Sequence, residues 1–348
     1  MKKPISLVTG GAGFIGSHAC LELLNKGYEV HVIDSFVNSF RSVIDKLSSI
    51  VSKKDNNFKS FFYFYEGDLR DKKFLRKIFS ELDKEGKSFD AVMHFAGLKA
   101  VKESINQPLR YWNNNLFSTV ILLEAMKDYK CNTFIFSSSA TIYGFTDNYP
   151  IKENNQISPI NPYGQTKAAI EKLLNDLFNS DPLIWKIANL RYFNPIGAHP
   201  SGLLGEMPTD IPNNIFPIIS LVALKKLKKL SIFGNDWDTP DGTCLRDYIH
   251  VMDLVDGHIL ALEKLLLDES RILNLNLGTG QGISVLELVK TFEKVNDVRI
   301  PYVFTKRRLG DSSKSIADNS YAYSVLNWKP KRSLEDMCKD GWNWFKNN

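Results

Sequence analysis

The stretch Val8-Thr9-Gly10-Gly11-Ala12-Gly13-Phe14-Ile15-Gly16-Ser17 decides the fold. Its glycines at 10, 13 and 16 follow the short apolar run Ile5 to Thr9 and open a helical pattern. Gly10 permits a tight turn, Gly13 lets backbone approach a pyrophosphate, and Gly16 lets the helix pack close on a sheet. The unpaired N–H groups and positive dipole end of such a helix are suited to phosphate. A glycine pattern alone is weak; the strand-turn-helix context gives it meaning.

The rhythm set by that stretch continues. Strand-like runs fall at Ile5–Thr9, Glu29–Ile33, Phe61–Glu66, Ala91–Phe95, Thr133–Ser137 and Trp185–Arg191, with helical segments starting near Gly13, Ser39, Lys72, Trp112 and Tyr163. Alternation of this kind predicts a doubly wound parallel sheet covered by helices on both faces, a Rossmann α/β fold. The lysine- and asparagine-rich segment Asp45–Lys59 reads as a surface extension of the second helix. After Tyr192 proline, glycine and asparagine become frequent, as in Pro200-Ser201-Gly202. Loops of that composition carry binding groups on a rigid scaffold. We therefore expect residues 1–192 to form a dinucleotide-binding domain. Residues 193–348 form a smaller C-terminal α/β substrate domain that can return strands to the first.

Composition narrows the classes. Hydrophobic residues make up 43% and charged residues 24% of the 348, the balance of a soluble globular protein. A net charge of +5 is too weak to argue for nucleic acid. The 4 cysteines and 6 histidines are scattered without metal-ligand spacing, which predicts no metal site, no disulfide framework and a cytoplasmic setting. The start of the chain breaks at Gly10 and does not read as a signal peptide, and no run of 18 apolar residues predicts a membrane span.

Asp34 closes the second strand, 18 residues beyond Gly16. A carboxylate there accepts from both ribose hydroxyls and repels a 2′-phosphate, which selects NAD over NADP. The competing reading is a helix or turn cap. Asp68 and Leu69 follow the third strand, where an adenine edge would lie; Asp68 reads equally well as a turn residue.

The chemistry is carried by Ser139, Tyr163 and Lys167. Phe134–Thr141 is a strand ending in hydroxyls, and Tyr163-Gly164-Gln165-Thr166-Lys167 opens a helix after Pro162, 24 residues beyond Ser139. Residues four apart share a helix face. Oxidising an alcohol needs a base for the hydroxyl proton, and a free phenol titrates near ~10. Poising it at neutral pH takes about 4 kcal/mol of preferential stabilisation of phenolate. The lysine ammonium and a cationic nicotinamide are suited to supply that, with Ser139 sharing the proton. The alternative for Ser137–Ser139 is a polar strand end bonding its own backbone.

These residues resemble the UDP-galactose 4-epimerases (UDP-glucose 4-epimerases) of the extended short-chain dehydrogenase/reductase group. The resemblance runs end to end through Thr9–His18, His94-Phe-Ala-Gly-Leu-Lys-Ala-Val101, Ser137-Ser-Ser-Ala-Thr-Ile-Tyr-Gly144 and Arg191-Tyr-Phe-Asn-Pro-Ile-Gly-Ala-His-Pro200. It continues in Ile211-Pro-Asn-Asn214, Ile232-Phe-Gly-Asn-Asp236 and Arg246-Asp-Tyr-Ile-His-Val-Met-Asp253. It implies reversible C4 inversion of a UDP-hexose through a 4-keto sugar, with NAD held permanently. It also implies roles the residue types alone do not. Phe14 and Ile15 would lie along the pyrophosphate, and Ser35, Asn38 and Ser39 near the adenosine ribose. Phe95, Ala96, Lys99, Asn114 and Phe193 would be further cofactor contacts, Lys99, Ser139 and Tyr163 also meeting substrate. Asn194, Asn214 and Ile215 would contact UDP, Ser231, Ile232 and Phe233 the uracil, and Asp311 its ribose. Arg246 and Arg308 would pair with the diphosphate, a task suited to a planar charged fork, the competing reading being surface ion pairs.

One position departs from the pattern. Seven residues after Arg308, where strict galactose epimerases carry tyrosine, stands Ser315. Members with a small residue there accept an N-acetyl group at C2, so UDP-GlcNAc and UDP-GalNAc become candidate substrates, unless a loop shift changes the spacing. The group also implies a homodimer, with candidate helices at Trp112–Lys127 and Tyr163–Phe178. A 4,6-dehydratase, another NAD-dependent nucleotide-sugar enzyme of this kind, needs an acid-base pair after the active-site threonine. Here Thr141 is followed by Ile142 and Tyr143.

Overall fold

The computed structural model describes residues 3–52, 60–208, 212, 214–308 and 310–348. The chain forms two compact units. The first consists of Met1–Gly144, Ile157–Arg191 and Gly257–Leu275; the second of Phe145–Gln156, Tyr192–Asp256 and Asn276–Asn348.

A seven-stranded sheet organises the first. Its strands are β1 (Ile5–Thr9), β2 (Glu29–Asp34), β3 (Phe62–Glu66), β4 (Ala91–His94), β5 (Thr133–Ser139), β6 (Lys186–Tyr192) and β7 (Arg271–Leu277). The spatial order is β7-β6-β5-β4-β1-β2-β3. β1 pairs in parallel with β2 on one side and β4 on the other, β2 with β3, and β4 with β5. Strand order therefore reverses between β1 and β4, where doubly wound sheets bind ligands beyond the strands' carboxyl ends. β1, β2, β4 and β5 are buried along their whole length, as strands covered on both faces must be. The two edge strands, β3 and β7, and the first residue of β6 show partial exposure.

The helices follow from spacing and caps. Lys72–Lys84 buries Leu75, Ile78, Phe79 and Leu82, one stripe at helical spacing, and Asp71 caps it by accepting from the amides of Lys73 and Phe74. Pro162–Ser180 starts with proline, and Asn161 accepts from the amide of Gly164 at 2.9 Å. The helix anticipated near Trp112 begins as a π-helical turn, Trp112–Phe117, before the regular Ser118–Asp128. β5 ends at Ser139, between the two ends read from the sequence, Ser137 and Thr141. Of the extension at Asp45–Lys59, the part up to Ser52 belongs to the helix Arg41–Ser52, and 53–59 lie outside the described residues. Leu7, Val92, Phe134, Phe136, Ile170 and Ile187 lie at the heart of this unit's core.

The second unit is built from smaller pieces. Asn194–Ile196 pairs with Tyr248–His250, and Leu230–Phe233 with Tyr302–Thr305, both in parallel. Leu245–Arg246 lies between Ile283–Ser284 and Lys314–Ser315. The helices Ile215–Ala223, Val285–Asn296 and Leu334–Asn347 pack around Phe216, Ile219, Tyr248, Val289, Phe292 and Met337. Ile151 joins this unit by two backbone bonds, donating to the Ile316 carbonyl and accepting from the Asp318 amide. Among the described residues no helix is long and apolar enough to cross a membrane. The four cysteines are buried and unpaired.

Candidate active site

The glycine stretch does what its spacing requires. Gly10 has φ 71°, and a Cβ on it would lie 2.6 Å from the Ala96 nitrogen. A Cβ on Gly16 would lie 2.2 Å from the Gly10 carbonyl oxygen. Both are held to glycine by backbone packing. Gly13 differs: only the Gly10 oxygen, at 3.2 Å, lies near a Cβ there. Gly13 starts the helix Phe14–Asn25, which has no side-chain cap and no acidic residue in its first turn. Open space over a glycine, at an uncapped helix start bearing no negative charge, fits a pyrophosphate.

Asp34 is buried and accepts from the Ala12 amide (2.9 Å), the Phe36 amide (2.9 Å) and the Ser39 hydroxyl (2.8 Å). It thus performs the turn-capping role. A carboxylate offers about four lone-pair sites, so capacity for a ribose hydroxyl remains. Ser35 and Asn38 are exposed beside it. Asp68 forms an ion pair with Arg70, which holds its carboxyl below the usual range. Leu69 packs into the core, so a nucleotide could meet only its backbone. Phe95 and Ala96 directly follow β4, half-buried, and Lys99 is exposed. The Asn114 carboxamide donates to the Arg110 carbonyl, 2.8 Å away.

Ser139, Tyr163 and Lys167 come together in the first unit. Ser139 ends β5, and its hydroxyl oxygen accepts from the Thr141 hydroxyl (2.9 Å) and amide (3.2 Å) and is hydrogen-bonded to the Tyr163 phenol. Tyr163 is buried with Leu98 and Tyr111. The Lys167 ammonium donates to the Ser137 carbonyl at 2.6 Å, lies 4.7 Å from the Phe136 ring centre and 5.9 Å from that of Tyr163. The Ser138 hydroxyl donates to Glu171 rather than to its own backbone. The protein by itself does not lower the phenol. Burial pushes Tyr163 up, opposed by its bond to Ser139, and burial pulls Lys167 down to about 7, opposed by Glu171. Desolvation acts on both and favours their neutral forms.

The second unit gathers much of the remaining group. The Arg308 guanidinium lies over the Phe233 ring, 5.3 Å from its centre, and pairs with Asp311 at 3.0 Å; Arg246 lies 4.0 Å from the same carboxylate. Arg246 also donates to the Ser312 carbonyl. Ser315 stands opposite Arg246 in the strand pairing. Ser231 and Phe233 point outward from Leu230–Phe233 while Ile232 is buried. Asn194 sits in the strand beside Asp247–Ile249, with Phe193 buried just before it. Asn214, whose carboxamide donates to Glu206, precedes Ile215 at the helix start.

Four residues at the site escaped sequence reasoning. Asn115, next to Asn114, is a buried clamp: its carboxamide accepts from the Leu98 amide (2.8 Å) and donates to the Leu98 carbonyl (3.0 Å) and the Thr166 hydroxyl (3.1 Å). The run Asn113-Asn114-Asn115 was a visible signal without a way to choose among its members. His94 bridges the hydroxyls of Thr9 (2.7 Å) and Thr119 (2.9 Å), and burial followed by the Lys167 charge lowers it to about 3, so it is neutral. Glu171 and Arg191 form a buried ion pair at 2.6 Å. Glu171 continues the four-residue spacing of 163 and 167, which is a usable signal; Arg191, at the end of a strand, offered none.

A Rossmann sheet with an open glycine-cradled helix start and a buried Ser–Tyr–Lys group defines the short-chain dehydrogenase class. Residues 7–341 match the family model described as GDP-mannose 4,6 dehydratase. The chain is 50% identical over 342 residues to the UDP-glucose 4-epimerase of Bacillus subtilis, covering 98% of this chain and 97% of that protein. Its fold is similar to the UDP-glucose 4-epimerase of Stenotrophomonas maltophila, solved with NAD and formylated UDP-arabinopyranose, with a TM-score of 0.92, 43% identity and coverage of 99% and 98%. The Bifidobacterium longum enzyme, solved with NAD+ and UDP, gives a TM-score of 0.91, 44% identity and the same coverage. The chain belongs to the UDP-glucose 4-epimerase family.

Lys167 carries a measurable stability cost. Its folded-state pKa, about 7, lies below its ordinary 10.5, so the native state binds fewer protons than the unfolded state between those values. The cost is full below pH 7 and fades as pH rises toward 10.5. Lys167→Met should therefore stabilise the fold by about a few kcal/mol at pH 6.5, the gap closing by pH 10, in urea unfolding at both pH values.

Proposed function

We propose that this chain interconverts UDP-glucose and UDP-galactose by inverting C4 of the hexose with tightly held NAD. The observation that carries this reading is the buried group formed by Ser139, Tyr163 and Lys167, in a chain of the UDP-glucose 4-epimerase family. Residues 1–192 serve mainly the cofactor and 193–348 mainly the UDP-sugar. Gly10, Gly13, Phe14, Ile15 and Gly16 cradle the pyrophosphate, and Asp34 with its neighbours takes the ribose. When bound, NAD supplies a reversible hydride acceptor for C4′.

The rest falls to the protein. Tyr163 takes the proton of the 4′-hydroxyl as the carbon is oxidised and returns it when the carbon is reduced on its opposite face. Ser139, bonded to that phenol, steadies the reacting oxygen. Lys167 supports the phenolate with its charge and its grip on the Ser137 carbonyl. The positive charge of oxidised nicotinamide completes what the protein leaves undone, since burial alone raises the phenol. Inversion also constrains binding: UDP must be gripped while the sugar stays free to turn. Arg246, Arg308 and Asp311, with Phe233 beneath Arg308, support a grip on the diphosphate and nucleoside that leaves the hexose free. Ile142 and Tyr143, which follow Thr141, are buried and offer no acid-base pair for dehydration.

Ser315 is small beside Arg246, and this supports acceptance of N-acetylated hexosamines. Phe117, 50% exposed, and Leu109, 83% exposed, support pairing of two copies through this helical face. Four unpaired thiols support a reducing, cytoplasmic setting.

Purified protein without added cofactor should convert UDP-galactose to UDP-glucose; absence of conversion, with NAD supplied or not, ends the reading. Tyr163→Phe should lower kcat by about 100-fold or more without loss of fold by circular dichroism. UDP-GalNAc should also turn over, and Ser315→Tyr should remove that activity while sparing UDP-galactose; equal loss of both would refute the size argument. Phe117→Asp should convert a dimer to a monomer in sedimentation, and a wild-type monomer would dismiss the pairing.

A further inference from the structure

Lys167 presents an electrostatic problem that the family reaction does not explain. Its ammonium is buried, and a buried charge persists only where other groups compensate it. Several neighbouring elements of the first unit supply polar, aromatic or charged groups near it. β5 contributes the Ser137 carbonyl and the Phe136 ring, and β4 the neutral His94. Its own helix contributes Tyr163 and Glu171. β6 contributes Arg191, paired with Glu171. Glu171 is therefore the anion among these groups. It lies four residues on, on the same helix face, and is itself buried.

That carboxylate is held with unusual completeness. Arg191 grips it with two nitrogens, Nε at 3.0 Å from Oε1 and a terminal nitrogen at 2.6 Å from Oε2. The Ser138 hydroxyl donates to Oε1 at 2.5 Å. A second terminal nitrogen of Arg191 donates to the Tyr143 hydroxyl at 3.0 Å. These bonds tie the helix to β5, to the turn that follows it and to β6.

We propose that Glu171 is a positioning residue for the reaction: clamped by Arg191 and Ser138, it keeps the Lys167 side chain charged and in place beside Tyr163. Arg191 serves this role by holding Glu171. A purely structural ion pair would stabilise the fold without touching the protonation of the lysine.

The inference rests on the proposed epimerase reading, and the test separates the two. Wild-type protein is assayed first for UDP-galactose conversion from pH 6 to pH 10; no conversion ends the functional reading itself. In Glu171→Gln the lysine loses its anion and releases its proton at lower pH. The high-pH limb of kcat should move down by about one pH unit, giving a roughly tenfold deficit at pH 8.5 that shrinks toward pH 6, with KM within about twofold. A profile that superimposes on wild type, or falls by one constant factor at every pH, overturns the proposal. Where Glu171→Gln does not fold, Glu171→Leu with Arg191→Met removes both partners of the ion pair, so that no guanidinium is left buried without its carboxylate while Lys167 still loses its anion. The same displaced limb is expected there. Failure of both variants to fold assigns the pair to stability alone and overturns the proposal.

Discussion

The structure depends on level strand register at the point where the sheet reverses. Thr9 is paired with Ile33 on one side and with His94 on the other. The chain leaves β1, β2 and β4 at one height, and Gly10 turns there against the backbone of Ala96 with no room for a Cβ. The glycine cradle, Asp34 and Phe95 are neighbours for that reason. A slip by one residue would turn every side chain of a strand to its other face and scatter them. Hydrogen bonds hold the row: His94 joins Thr9 to Thr119, and Asn115 joins Leu98 to Thr166 on the helix that carries Tyr163.

Chemistry at this row is obtained at a cost in stability. A lysine, an arginine, a glutamate, a histidine and several hydroxyls are buried around β4, β5 and β6, where apolar side chains would pack with less desolvation. Bonding compensates most of them. Glu171 has three donors from two residues, and His94 has a partner on each ring nitrogen. Lys167 is compensated least, with one carbonyl acceptor, an aromatic face and the Glu171 carboxylate one turn away on its helix. A strained charge beside a raised phenol suits a site completed by a cationic ligand, and it illustrates why active sites sit below the stability optimum.

Much of this was legible in the residues. Strand positions in the first half came from β-branched runs and glycine punctuation, and fall within a residue or two of the observed elements. The glycine motif and the spacing of Tyr163 and Lys167 are local patterns, each decided by fewer than ten consecutive residues, so they survive without knowledge of the fold. The end of β5 was ambiguous, at Ser137 or at Thr141, because a hydroxyl-rich strand end has no local stop signal; at Ser139 the strand gives way to the turn Ala140–Tyr143, while Lys167 and Glu171 bond the carbonyl of Ser137 and the hydroxyl of Ser138. Asn115 could not be told from Asn114 because helical phase changes at the π-turn Trp112–Phe117, which shifts which asparagine faces inward.

The sequence by itself determined the sheet type, the glycine turn after the first strand and the one-turn spacing of Tyr163 and Lys167, since these depend on short-range sterics and helical spacing. Tertiary structure alone decided which charges compensate one another. Arg191 and Glu171 are 20 residues apart, and His94 and Thr9 are 85 apart. Their pairing follows from the parallel order of β1, β4, β5 and β6, a long-range arrangement that no local pattern encodes. It also set the state of the phenol and the ammonium, because desolvation depends on what surrounds a group in space and not on its neighbours along the chain.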